Sequence, residues 1–398
     1  MKTNNKQLEN PVFLHNITLK NLLSFGPDTE PLELKSLNVL IGPNGSGKSN
    51  LIEAISLLRA APTHLAAPVR DGGGVRDWLW KGNSRVHATL QVVVENHLKR
   101  GVPIRHEIVF SESAQKFILI DERIENANPL RGETQPFFFY KYDNGYPWLS
   151  VNREKRQLQH EEVEPDKSIL SQRKDPEQYP EITHLGKQYG RIRIYREWSF
   201  GRYTVPRQPQ KADQPNDQLS ETFENFGVVL NRLRGDYKTK TKILENLQQL
   251  YMGIEDYDVS IEGGTVQVFF HENGFKIPAT RLSDGTLRYL CLLAILCNPD
   301  PPPVVCIEEP ELGLHPDILP SLARLLKDAA NRTQLFVTTH SDILVDELTE
   351  NPESVVVCEK IEGRTITKRL QSKDLEKWLQ KYRLGQLWMQ GEIGGTRW

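Results

Sequence analysis

The chain has 398 residues, 38% hydrophobic and 26% charged, the profile of an ordinary globular protein long enough for two or more cores. Lys and Arg number 50 against 52 Asp and Glu, a net charge of −2. That balance excludes a global field drawing the chain to nucleic acid or an anionic membrane, so any such surface has to be local. The four cysteines, Cys291, Cys297, Cys306 and Cys358, sit in apolar runs and form no C-x-x-C, so reduced buried thiols are expected rather than a zinc or redox pair. The N-terminus, MKTNNKQLEN, lacks the apolar core of a signal peptide, and the longest apolar run, Tyr289–Cys297, is far short of the ~20 residues that cross a bilayer. A cytoplasmic protein without membrane contact is expected.

Residues 12–25, VFLHNITLKNLLSF, mix alternation with β-branched side chains and predict an opening strand, closed by a turn at Gly26-Pro27. Leu37 to Ile41 is an apolar β-type run that turns through Gly42, Pro43, Asn44 and Gly45. Past Ser46 it enters a helix at Gly47-Lys48-Ser49. This is the G-x-x-x-x-G-K-[ST] phosphate loop, set between a strand and a helix as its mechanism requires. Glycines let backbone N–H groups close around phosphate oxygens, and the helix N-terminus adds a favourable dipole. Lys48 would reach the β- and γ-phosphates and Ser49 would place its hydroxyl on Mg²⁺; a structural Gly-rich turn is the alternative. Behind the loop, Leu51, Ile52, Ile55 and Leu58 fall at helical spacing, and Pro62 stops the helix.

Residues 70–82, RDGGGVRDWLWKG, read as a surface loop with a tryptophan anchor, a second phosphate site being the sharper alternative. From 85 to 152 the runs HATLQVVVEN, PIRHEIVF, KFILIDERI, PFFFYKY and PWLSV predict an antiparallel meander. Residues 153–190 are charged and Pro-punctuated, so an irregular exposed connection is expected. Arg191–Lys211 interleaves Arg191, Arg193, Arg196, Arg202, Arg207 and Lys211 with Tyr195, Trp198, Phe200 and Tyr203. Basic side chains with stacking aromatics suit a nucleic-acid groove. The alternative is a strand that points Ile192 and Ile194 inward and its arginines to solvent or a subunit partner. Residues 216–252 predict two helices broken near Gly235, and 257–270 a hairpin across Gly263-Gly264.

Three further segments have a chemical use beside the phosphate loop. Ser283 is a good N-cap for the apolar run LRYLCLLAILC, and Ser283-Asp284-Gly285-Thr286 suits an anion at a helix start; an ordinary capped core helix is the alternative. PVVCIEE is a short apolar strand ending in Glu308 and Glu309, as in a buried parallel sheet, where ligands sit beyond the carboxyl ends of the strands. One of these acids can hold Mg²⁺ while the other serves as general base on an attacking water. QLFVTTHS is another apolar strand with His340 just past its end, suited to a γ-phosphate contact or to positioning water.

The order of phosphate loop, long insertion, LSDGT, apolar strand with Glu-Glu, and strand with His resembles the ATP-binding-cassette ATPases. More narrowly it resembles the RecF- and SMC-like branch, the AAA-family ATPases of bacteria. The similarity takes in ITLKNLLSFGP, IEEPELGLHPD and the tail LGQLWMQGEIGGTRW. It implies an α/β fold: an ABC-type P-loop ATPase head with a mixed sheet, an antiparallel β subdomain and an inserted helical signature lobe. The expected division is 1–152, 153–280 and 281–398.

By the same resemblance, Gly42–Ser49 with Asn50 form Walker A, Ser283–Thr286 the signature, Glu308-Glu309 Walker B, Pro310–His315 the D-loop, and His340 the switch histidine. Lys48, Glu309 and His340 would be catalytic, Ser49 and Glu308 would hold Mg²⁺, and ATP would be bound by a head-to-tail homodimer with composite sites. Glu308 stands where the family usually has Asp, its extra methylene shifting the carboxylate by about a bond length. Gln208 and Gln210 are the candidates for a Q-loop glutamine. The implied role is gating of a nucleic-acid-related or anti-phage activity, through a separate effector or nuclease subunit. A transporter's nucleotide-binding subunit and the ATPase half of an overcoming-lysogenisation-type nuclease are the alternatives. The residues after His340 contain no D-x-D, which argues against an intrinsic nuclease.

Overall fold

The computed structural model describes residues 12–82, 87–143, 146–151, 154–159, 163–164 and 166–395. The polar stretch 1–10 and the last three residues of the tail lie outside them. The chain forms two units. The first holds residues 12–192, 353–370 and those from Ile393, the second 193–352 and 371–392. This differs from the expected cuts at 152 and 280, because residues up to 192 pack with the N-terminal strands.

The first unit opens with β1 (Leu14–Lys20), β2 (Leu32–Glu33) and β3 (Leu37–Ile41), then α1 (Lys48–Ala60), α2 (Ala67–Asp71) and α3 (Val75–Trp78). It continues through β4 (Ala88–Val94), β5 (Ile104–Ser113), β6 (Lys116–Asn126), β7 (Phe138–Asp143), β8 (Tyr146–Val151) and β9 (Glu154–Gln157) to α4 (Ile169–Gln172) and α5 (Pro180–Gly190). The second unit follows with β10 (Arg193–Tyr195), β11 (Gln210–Lys211), α6 (Phe226–Gly235), α7 (Tyr237–Leu250), β12 (Ile254–Glu262), β13 (Thr265–Glu272) and β14 (Phe275–Pro278). Next come α8 (Asp284–Leu296), β15 (Val304–Glu308), α9 (Leu319–Ala329), β16 (Gln334–Thr338) and α10 (Asp342–Asp346). The chain returns to the first unit for β17 (Val355–Ile361) and β18 (Arg364–Arg369), then closes in the second with α11 (Ser372–Leu379) and α12 (Leu384–Met389).

In the first unit an antiparallel sheet runs β2-β1-β4-β5-β6-β7-β8-β9, in which β4 to β8 are the meander predicted over 85–152 and β1, β2 and β9 extend it. Its alternation is visible in β4, where Ala88, Leu90, Val92 and Val94 are buried and the residues between them are not. Separately, β3 pairs parallel with β17, which pairs antiparallel with β18, giving the mixed character expected. In the second unit β10, β15 and β16 run parallel. Every residue of β16 and all but Glu308 of β15 are buried, the near-continuous apolar reading of strands covered on both faces. The hairpin across Gly263 and Gly264 forms as expected, both glycines at positive φ.

The segment 153–190 departs from the expected exposed connection. It carries β9, α4 and α5, and Ile182, Leu185 and Tyr189 of α5 are buried. Pro180 marks the helix start, where its missing N–H costs nothing, rather than a break. Burying each such apolar side chain contributes about 1.5–3 kcal/mol. Ahead of α4, Ser168 Oγ (2.5 Å) and Ile169 N (2.7 Å) donate to the carboxylate of Glu122, which lies 3.1 Å from His106 Nε2. This buried knot ties α4 to β5 and β6. Residues 70–82 also fold further than expected, into the end of α2 and all of α3, with Trp78 buried as the anchor.

All four cysteines are buried and none forms a disulfide, and burial pushes the Cys297 thiol up to about 11 and that of Cys358 to about 12. Among the described residues no helix is long and apolar enough to cross a membrane.

Candidate functional site

The fully buried strand β3 delivers the chain to the loop at Gly42–Gly47, and α1 begins at Lys48. Two of its glycines are required by space as well as by backbone. Gly42 has φ 145°, and a Cβ there would lie 2.1 Å from Cys358 O. Gly47 has φ 100°, and a Cβ would meet Thr365 Oγ1 at 2.1 Å. Lys48 is buried and its Nζ donates to Gly42 O (2.8 Å) and Pro43 O (3.1 Å), folding the ammonium over the loop. The N-cap Gly47 supplies no side-chain acceptor, and α1 has no acidic residue in its first turn. Nothing in that turn competes with an anion for the positive end of the helix dipole. Ser46 Oγ is buried without a partner. These features fit a phosphate group.

Two residues that sequence reasoning missed brace the loop. Thr365 Oγ1, from β18, donates to Ser46 O (2.9 Å) and lies 2.6 Å from Ser24 Oγ. Ser24 Oγ in turn accepts from Asn50 Nδ2 (2.7 Å). Ser24 belongs to the lead-in ITLKNLLSFGP, but no motif marks Thr365.

In the second unit Glu309 follows β15 with φ 46°, an uncommon left-handed conformation for a non-glycine residue. Its N–H donates to Thr338 O (3.0 Å), and its carbonyl accepts from Arg288 Nη2 (2.7 Å). The Glu309 carboxylate is half-exposed and lies 3.7 Å from His340 Nε2. Glu311, in the D-loop segment, accepts from Thr339 Oγ1 (2.6 Å) and His340 N (2.8 Å), so it holds the backbone that presents His340. Glu308 is engaged twice: its Oε1 accepts from Arg196 Nε (2.7 Å) and its carbonyl from Trp198 Nε1 (2.9 Å). The Glu308 side chain thus ends on an arginine. The Arg288 guanidinium stacks over Trp198 at 4.7 Å from the ring centre, and burial pushes its pKa down to about 10.

Ser283 caps α8 as expected, its Oγ accepting from Thr286 N (3.1 Å), a bond of the kind whose removal costs about 1 kcal/mol. Asp284 pairs with the buried Arg207, which also donates to Leu282 O (2.5 Å), Ala279 O (3.2 Å) and Phe200 O (2.9 Å). A Cβ on Gly285 would come within 2.8 Å of Gly313 O, so the Ser283–Thr286 turn lies close against the Pro310–His315 segment of the same chain.

The basic-aromatic stretch is therefore not the open groove that its composition suggests. Arg196 and Arg207 are spent on Glu308 and on the signature turn, while Tyr195, Trp198 and Phe200 gather around Phe223 at ring separations of 5.6–6.3 Å. Arg202, Tyr203 and Lys211 remain exposed. Of the Q-loop candidates, Gln210 is buried and committed to Val205 O, Phe223 O and Gly227 N, a structural role, and Gln208 is exposed.

A sequence-family profile described as "AAA domain, putative AbiEii toxin, Type IV TA system" matches residues 37–346, from the first residue of β3 to the last of α10. The chain belongs to this AAA family. The match spans both units and takes in every proposed site residue. The AAA chain shares its fold with SMC heads. It covers 91% of itself and 99% of an SMC head crystallised with the C-winged helix domain of ScpA, with TM-score 0.56 and 15% identity. For the Smc head with an extended coiled coil bound to the C-terminal domain of ScpA, derived from Pyrococcus furiosus, the coverage is 93% and 99%, the TM-score 0.55 and the identity 12%. The fold is accordingly the α/β head of the ABC type, with mixed and antiparallel sheets.

Over 49 residues the AAA chain is 53% identical to the DNA replication and repair protein RecF of Rickettsia felis and 51% identical to that of Rickettsia massiliae. That stretch is 12% of this chain and 12% of each relative, a small part of either protein.

Proposed function

We propose that this AAA-family chain binds ATP with Mg²⁺, hydrolyses it, and dimerises head to tail in doing so. The observation that carries the reading is the Gly42–Ser49 loop. Gly42 and Gly47 admit no Cβ, its lysine folds over it, and its helix start carries neither a capping side chain nor an acid. In this reading the residues Gly42 to Asn50 bind the phosphates, with Lys48 on the β- and γ-phosphates. Ser49 and Glu308 supply hard oxygen donors for Mg²⁺, which typically takes one or two carboxylates and completes its shell with waters and phosphates. When bound, Mg²⁺ neutralises charge developing on the phosphoryl oxygens.

Glu309 takes the proton from the attacking water, and His340, 3.7 Å from it, positions that water against the γ-phosphate. Ser283, Asp284, Gly285 and Thr286 come from a second copy and close over the nucleotide. Glu309→Gln is the test: it keeps the side-chain volume but removes the base, so the variant should accumulate as a dimer at saturating ATP. Size-exclusion chromatography reads the result, and a variant that stays monomeric with ATP bound sinks the composite-site reading.

The cycle gates a nucleic-acid-related or anti-phage activity exerted through a separate effector or nuclease subunit. The SMC heads of similar fold were crystallised with ScpA domains, which supports a dedicated partner protein. Co-purification from the native host identifies it, and a chain that purifies alone under ATP counts against it. Nucleic-acid contact within Arg191–Lys211 is assigned to the exposed Arg202 and Lys211. Reversing both charges should lower the salt slope of binding by about 2, roughly one for each phosphate that is no longer neutralised. An unchanged slope removes this stretch from any nucleic-acid surface.

A further inference from the structure

A cavity of about 520 Å³ in the first unit, remote in sequence from every motif above, has the make-up of a ligand site. Its inner surface is built by Asn126 at the end of β6, Phe137 and Phe139 around the start of β7, and Ser150 of β8. Asn126 is only 3% exposed. Its backbone N–H is used by Phe137 O (2.8 Å), but its side-chain amide has no hydrogen-bond partner among the described residues. An amide lining a cavity offers donor N–H groups and an acceptor carbonyl side by side to an occupant. Phe137 and Phe139 stand nearly perpendicular, 73° apart with ring centres at 5.4 Å. A planar ring can stack on one of them and meet the edge of the other. Ser150 Oγ donates to Phe138 O (2.6 Å), which leaves the hydroxyl able to accept from a ligand.

Charge narrows the ligand further. The ionisable residues of the lining are Lys99, Glu133 and Glu181, one cation against two anions, so a phosphate-bearing ligand is disfavoured. The two carboxylates are acceptors for hydroxyl or amino groups. We propose that this cavity binds an uncharged nucleobase or nucleoside, with its ring stacked on Phe137 or Phe139 and its donor–acceptor edge on the Asn126 amide. The base can arrive as a free nucleoside or be presented by a single strand of nucleic acid, and neither route depends on the phosphate loop.

Calorimetric titration of the full chain with adenosine, guanosine, cytidine and uridine tests the proposal, since none carries a phosphate for Gly42–Ser49. Saturable binding of at least one is expected. A single-stranded oligonucleotide of the same base separates the sources: binding of the nucleoside assigns a free ligand, and binding of the strand alone assigns a presented base. Asn126→Leu should weaken binding by about 10-fold or more while melting near the parent, because the side-chain amide makes no hydrogen bond to the described residues. Phe137→Ala, on a less buried ring, should weaken binding to a similar degree. No saturable binding by any nucleoside or strand overturns the proposal, as does parental affinity in both variants. A marked fall in the melting temperature of Asn126→Leu would also overturn it, because the amide would then be serving the fold.

Discussion

Replacing Lys48 with methionine is expected to weaken ATP binding by about 100-fold while the protein still folds. The aliphatic stem, buried at the start of α1, is kept by methionine, so the packing behind the loop persists. What disappears is the ammonium, which now donates to Gly42 O and Pro43 O and which phosphate oxygens would take over. Hydrogen bonds to charged groups are worth about 1.5–3 kcal/mol each, and the reach of Lys48 to two phosphates accounts for the expected loss. Titration with a fluorescent ATP analogue reads it, with thermal melting as the control for folding. Affinity within about threefold of the parent would mean that the loop is a structural turn and not a phosphate cradle.

That loop is legible in the sequence because its requirements are local. Strand, glycine spacing, lysine and helix all lie within Leu37–Ala60, and the structure reproduces each of them. The same holds for Ser283 before its helix and for Glu308-Glu309 ending a buried strand. What surrounds these residues is not legible, because it is supplied from far along the chain. Thr365 braces Ser46 across 319 positions, and Arg196 reaches Glu308 across 112. Composition alone cannot say that an arginine is spent inside the fold, so Arg196 and Arg207 read as surface charge until their acceptors are seen. The aromatic side chains mislead for the same reason, since Trp198 stacks on Arg288 rather than facing a base.

The departure over 153–190 has a different origin. Its helix α5 does carry a signal, with Ile182, Leu185 and Tyr189 at helical spacing, but proline and charge mask it when they are taken as breakers. A proline at the first helical position is a start signal, and the missing distinction is positional. The unit boundary moves with it, from 152 to 192, because a buried helix face commits those residues to the N-terminal unit.

The larger consequence of the interior arginines falls on the proposed hydrolysis. Arg288→Leu is expected to lower kcat for ATP by about 100-fold while changing KM by less than about threefold. Glu309 sits at φ 46°, a conformation that costs a non-glycine residue about 1–3 kcal/mol and persists only where its surroundings enforce it. Its N–H is held by Thr338 and its carbonyl by Arg288, so removing the guanidinium frees one side of the strained peptide. A carboxylate displaced by about 1 Å from its water is enough for a loss of that size.

Stability should move little or rise. The guanidinium is buried, its Nε has no partner, and burial already pushes its pKa down to about 10, so an apolar replacement relieves a desolvation cost. Arg288→Lys should fall between the two, keeping a charge near Glu309 O but losing the planar stack on Trp198. Trp198→Phe should cost less than either, because the ring stays and only the bond to Glu308 O is lost. Steady-state kinetics on this series separates positioning from folding: a merely structural arginine would lower the melting temperature and leave kcat per folded molecule unchanged. Parental kcat in a folded Arg288→Leu protein would show that the backbone of Glu309 holds its own course after β15, and that the catalytic geometry is set from the His340 side instead.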